Sequence, residues 1–133
     1  LREPELVLAA APAWVTDVHT SWAWVVVVGN GLAGAWALAA HRWEPARTPW
    51  LWRFTAAAEL AIFVQVVLGV VMIQGRDTSA YGLHMFYGFI AAFSVAIVYS
   101  YRAQLQSQRY LLYGFGGLFL MGLGIRAMVL HPV

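Results

Sequence analysis

Six strongly polar or ionisable residues stand inside otherwise apolar stretches of this chain: His19, Asn30, Glu59, Gln65, His84 and Arg126. Such groups are costly in an apolar medium and by default mark a site. The two histidines carry the most specific chemistry. A neutral imidazole keeps one ring nitrogen with a free lone pair. Two of them, on opposite faces of a flat metal-carrying ligand, would complete its axial coordination.

That chemistry requires elements that bring His19 and His84 to one depth. Of the 133 residues, 62% are hydrophobic and 11% charged, against about 45–50% and about 25% in soluble domains, which excludes a soluble globular protein. A bilayer span needs about 20 mainly apolar residues, and four stretches qualify, at 20–41, 51–74, 81–101 and 110–130. Their links are short: Arg42 to Trp50 with Pro45 and Pro49, Gly75 to Ala80, and Arg102 to Arg109. Short links force antiparallel neighbours. The expected fold is therefore all-α, an integral membrane up-down-up-down four-helix bundle over residues 19–133. Residues 1–18, with Pro4, Pro12, Trp14, Glu3, Glu5 and Asp17, are expected to form an interfacial N-terminal arm. The opening residues resemble neither a secretory signal nor a complete initiator sequence, and the sequence leaves open whether residues precede Leu1.

Arginine placement gives the expected orientation. Arg42, Arg47, Arg53, Arg102 and Arg109 fall on one side, while Arg2, Arg76 and Arg126 fall on the other. The positive-inside rule then puts both termini outside. Trp43, Trp50 and Trp52 at the inner boundary, and Trp14, Trp22 and Trp24 at the outer one, fit aromatic belts. The absence of Lys beside abundant Arg and Ala suits a GC-rich bacterial genome, hence a multi-pass protein of a bacterial cytoplasmic membrane.

In this topology the first and third helices both run from outside to inside, so His19 and His84 share a depth near the outer face. Heme b is the expected ligand between them: its iron takes two axial imidazoles and its ring buries apolar edges. Ala23 and Gly88, each four residues after a histidine, leave room on the same helix faces. Arg126, near the outer end of the fourth helix, is placed to pair with a propionate. Gln65 and Tyr87, both about 21 Å from the inner face at 1.5 Å per residue, are candidates for hydrogen bonds that support an axial histidine. His41 and His131 read as interfacial residues beside Arg42 and Pro132.

Deeper in the bundle, Asn30, Glu59 and Ser94 lie about 15, 12 and 10 Å from the inner face. They are expected to form one polar cluster. Its simpler use is a hydrogen-bonded knot that fixes packing, its other use a proton relay or a quinone contact. Met72, Met85, Met121 and Met128 raise copper(I) as another metal, although only Met85 adjoins a candidate histidine, and neighbouring helix residues point about 100° apart. Gly114, Gly116, Gly117, Gly122 and Gly124 on the fourth helix, and Gly31 with Ala35 on the first, allow close helix packing within the chain or against a second subunit. Cysteine is absent, which excludes disulfides, thiolate metal sites, iron–sulfur clusters and cysteine nucleophiles. Eight basic against six acidic residues, a net +2 scattered around apolar runs, exclude a nucleic-acid binder.

The segment Phe63-Val64-Gln65-Val66-Val67-Leu68-Gly69, followed after a short loop by His84-Met85-Phe86-Tyr87-Gly88, resembles the Gln-x-x-Leu-Gly then His pattern of heme-carrying bundles of the heme A synthase type. Other small membrane b-type cytochromes have related arrangements. The resemblance covers about 85 residues and implies axial histidines near the outer ends of alternate helices, here His19 and His84. Asp17 and Thr20 flank His19 where that family has an upstream Glu and a following Arg, and one bundle is present rather than two. The resemblance thus implies a heme-b-binding bundle, not synthase chemistry.

The expected function is that of a membrane b-type cytochrome or heme-carrying subunit of a respiratory or redox complex, moving electrons near the outer face. Its expected partners are the lipid bilayer and other membrane subunits or a redox partner. The alternative is a cofactor-free structural or assembly subunit of a larger membrane complex. With no hydrolase triad, phosphate loop or paired carboxylates, an independent enzyme is the weakest expectation.

Overall fold

The computed structural model describes residues 11–131, all helix and short connections. Four helices form it: α1 (Ala13–Arg42), α2 (Pro49–Met72), α3 (Gly82–Ser100) and α4 (Arg109–Val129). Among the described residues, all four are long and apolar enough to cross a membrane. Large side chains such as Leu32, Leu60, Phe93 and Phe115 are more than half exposed, the pattern of a surface that faces lipid rather than water.

Helix boundaries follow local chemistry. Pro49 occupies the first turn of α2, where a missing N–H costs nothing. Trp43 turns extended and ends α1, and Arg47 folds back so that Nε donates to Ala40 O at 2.6 Å and a terminal nitrogen to His41 O at 3.0 Å. These are carbonyls that the helix end leaves without an intrahelical donor. Gly75 adopts φ 72° just past α2, a left-handed turn that a side chain would oppose. In the following loop the Ser79 N–H donates to Asp77 Oδ1 at 3.0 Å and holds that carboxyl below its ordinary range. Residues 13–18 continue α1 instead of belonging to a separate arm; residues 1–10 of that arm lie outside the described region. At 30 residues α1 is about 45 Å long, more than a hydrocarbon core requires.

The α1–α4 contact is the closest. A Cβ on Gly117 would come within 2.7 Å of Gly34 Cα and 2.8 Å of Asn30 O, and one on Gly34 within 2.7 Å of Gly114 O. Only glycine permits that backbone approach. Without a hydrophobic driving force in lipid, such packing is what joins helices. Along this seam Val27 meets Gly124, Gly31 meets Met121 and Leu38 meets Gly114, so the two helices run in opposite senses. Helices α1 and α2 do likewise: Trp22 Nε1 donates to Ala61 O at 2.9 Å and Asn30 Nδ2 to Ala58 O at 3.1 Å.

Two apolar clusters fill the bundle. Val26, Ala61, Ile62, Ala91, Val95 and Leu120 occupy its middle. Ala37, Ala40, Ala46 and Leu51, with Trp36, Trp52, Tyr110 and Tyr113 against them, close one end. That end carries cation–π contacts, with Arg47 5.0 Å from the Tyr110 centroid, Arg109 5.7 Å from Trp52 and Arg102 3.6 Å from Tyr99. Flat aromatic faces thereby hold the guanidinium groups at the rim.

Candidate functional site

At the opposite end the helices enclose a cavity of about 500 Å³ whose wall includes residues of all four. The volume falls in the range of organic ligand and cofactor sites, about 300–1,000 Å³, and far exceeds what a single ion needs. His19, Ala23, Gln65, His84, Tyr87 and Gly88 all line it. The cavity wall reaches the exterior at Trp24, Val70 and Phe89, which are 61%, 38% and 48% exposed.

His19 enters from α1 and His84 from α3, with ring centroids 5.9 Å apart and planes at 79°. Two imidazoles bound through nitrogen at about 2 Å on opposite sides of one ion would place their centroids about 6 Å apart. The observed separation therefore fits an axial pair.

One ring nitrogen of His84 is held by a backbone carbonyl. His84 Nδ1 lies 2.7 Å from Ala127 O. The amide of His131, which would otherwise close the helical turn on Ala127 O, bonds Met128 O at 3.3 Å instead. A carbonyl at a helix end thus meets an imidazole. With the proton on Nδ1, the lone pair is on Nε2, the form a metal takes. His19 is only 6% exposed, and its Nδ1 is buried with no hydrogen-bond partner. The Gln65 amide donates from Nε2 to His19 O at 2.8 Å, fixing α2 beside the histidine's own backbone. Gln65 Oε1 is likewise buried without a partner. Gly69, one turn further along α2, provides the space for the ring: a Cβ there would lie 3.2 Å from His19 Cε1. Gly88 has nothing within 4 Å of the place its Cβ would occupy, so α3 leaves open space at the cavity wall.

His131, read from sequence as an interfacial residue, stands in the site. Its ring lies 4.7 Å from that of His84 at 89°, and 5.5 Å from Tyr81, and it lines the cavity. The positions 120, 124, 127 and 131 recur at helical spacing on the face that α4 turns inward, and that periodicity was the signal for it. Arg126, between those positions, is exposed; its guanidinium sits 5.9 Å from the Tyr87 centroid, outside the residues that line the cavity. Met72, Met85 and Met128 also reach the cavity wall, more methionines than the adjacency of Met85 and His84 led one to expect. Among the described residues, no group of three His, Cys, Asp or Glu side chains is arranged to hold a metal ion.

The inner polar residues Asn30 and Ser94 hydrogen-bond to backbone carbonyls. Asn30 spends its amide on Val26 O at 2.9 Å and Ala58 O at 3.1 Å, and Ser94 donates to Ile90 O of its own helix at 2.8 Å. Backbone carbonyls are the nearer acceptors for both. Among the described residues no hydrogen bond joins either to Glu59, which is half-buried on α2. His41 lies at the far end of α1, away from the cavity.

No family model, curated protein or solved structure matches the chain.

Proposed function

We propose that this protein is a membrane-embedded b-type cytochrome, or the heme-carrying subunit of a redox complex, with heme b held between α1 and α3. The observation that carries the reading is the 5.9 Å separation of the His19 and His84 rings across an apolar cavity of about 500 Å³. In this reading the four helices form an up-down-up-down bundle in a bacterial cytoplasmic membrane, with the arginine-rich end inside and both termini outside.

Heme supplies reversible one-electron transfer when bound. The chain's own residues do the rest. His84 on α3 and His19 on α1 would hold the iron, and the Ala127 carbonyl fixes the tautomer of His84. Gly69 makes room for the His19 ring and Gly88 leaves open space for a flat ligand, and the wall from Ile62, Val66, Met85 and Leu123 is apolar. No side chain in the cavity is paired as nucleophile and base, so electron transfer rather than bond-making catalysis is the activity these residues suit. The electron donor and acceptor would be membrane subunits, a quinone or a redox partner at the outer face.

Two rival readings have specific support. Three methionines and three histidines around the cavity are ligand types that suit copper(I), but the cavity is much larger than an ion requires. A cofactor-free assembly subunit would use exposed glycines to pack on partners. Gly34, Gly114 and Gly117 are instead spent inside the chain on the α1–α4 contact, which leaves Gly122 as the open one on α4.

Absorption spectroscopy and metal analysis of the purified protein decide among the three. A Soret band with one iron per chain supports the heme reading. Copper without a Soret band, or neither metal, overturns it.

A further inference from the structure

We infer that His131, with Tyr81 beside it, receives the carboxylate side arms of the bound porphyrin, the role that the sequence assigns to Arg126; this inference rests on the heme reading above. A porphyrin placed between His19 and His84 must direct its two carboxylates toward polar groups at the cavity rim, since the rest of the wall is apolar. The lining side chains with a polar atom are His19, Thr20, Trp24, Gln65, Tyr81, His84, Tyr87 and His131; the Thr20 hydroxyl donates to Thr16 O. Two of these are the axial pair, and the Gln65 amide nitrogen already donates to His19 O.

His131 follows the last turn of α4 and Tyr81 immediately precedes α3, so both lie at the end of the bundle that carries the α2–α3 connection. Their rings meet at 5.5 Å and 68°, and His131 abuts His84 at 4.7 Å, directly beside the proposed axial position. Among the described residues no hydrogen bond occupies the His131 ring nitrogens or the Tyr81 hydroxyl. An imidazole N–H and a phenol O–H are donors suited to a carboxylate. Arg126, although charged, is exposed and does not itself line the cavity, its guanidinium 5.9 Å from the centroid of the lining residue Tyr87.

The test is a titration of detergent-solubilised protein, purified without added heme, with hemin and with hemin dimethyl ester, in which both carboxylates are masked. Wild type, His131→Ala, His131→Asn and Arg126→Ala are compared by the Soret change. A hydrogen bond to a charged group is worth enough that His131→Ala should weaken hemin binding about tenfold or more. Binding of the ester should be unchanged, which also shows that the variant is folded. His131→Asn, which keeps a donor, should recover part of the loss, and Arg126→Ala should change neither titration. Equal effects of His131→Ala on both ligands, or none on either, overturn the inference while leaving the heme reading intact. So does a loss confined to hemin in Arg126→Ala. Failure of the wild type to bind either ligand overturns the heme reading and this inference with it.

Discussion

The Nδ1 of His84 stands 2.7 Å from the carbonyl oxygen of Ala127, so a side chain from α3 closes the C-terminal turn of α4. One contact thereby joins two helices, satisfies a carbonyl that the helix end leaves open, and fixes the tautomer of a proposed ligand. His84→Phe keeps a ring but removes the donor. In heme-free protein it should cost about 1 kcal/mol, seen as a lower Tm in detergent. An unchanged Tm would mean that water or lipid headgroups serve Ala127 equally well.

The glycine seam between α1 and α4 makes a sharper prediction. A Cβ on Gly117 would meet Gly34 Cα at 2.7 Å, backbone against backbone, with no side chain to move aside. Gly117→Ala should destabilise the bundle by about 1–3 kcal/mol, as overpacking does. Gly122→Ala, at a site with nothing within 4 Å, should be neutral or stabilise by up to about 1 kcal/mol through helix propensity. Thermal unfolding of the pair checks this, and equal behaviour would contradict the packing described.

Gly69 separates the site from the fold. A Cβ there would press on His19 Cε1 at 3.2 Å, a side-chain atom that can yield slightly. Gly69→Ala should therefore leave the stability within about 1 kcal/mol of wild type while perturbing the heme absorption and electron paramagnetic resonance spectra. Gly69→Val should displace the ring and reduce heme content. Wild-type spectra in both variants would place the His19 ring elsewhere in the loaded protein.

Gln65 offers a test through electronics. Its Nε2 holds His19 O at 2.8 Å, while its Oε1 and the Nδ1 of His19 are both buried without partners. The two atoms are not bonded to each other here; a bond between them in the loaded protein would raise ligand basicity and favour the oxidised metal. Gln65→Leu should then raise the reduction potential and Gln65→Glu lower it, measured by spectroelectrochemical titration. Identical potentials in all three would leave Gln65 a packing residue only.

The four helices were legible because period and length suffice for spans: the apolar runs fall within a few residues of the observed α2, α3 and α4. Placing His19 opposite His84 needed only short links and alternating direction. What failed to appear in the sequence depended on rotation about helix axes. Arg126 and His131 are five positions apart near one helix end, yet Arg126 is exposed and off the cavity lining while His131 lines it and abuts His84. Similarly, depth along the axis brought Asn30, Glu59 and Ser94 together on paper. Each polar hydrogen of Asn30 and Ser94 had a nearer backbone acceptor. The start of α1 at Ala13 was hidden by Asp17 and Thr20, polar residues that a helix extending beyond the hydrocarbon tolerates.

The central claim is that His19 and His84 hold one heme between them, and a dithionite-reduced minus oxidised spectrum of wild type, His19→Ala and His84→Ala tests it most directly. The expected result is a paired-imidazole b-type signal in the wild type that is lost in both variants. A wild-type protein with no such signal, or a signal that survives either substitution unchanged, would contradict the account.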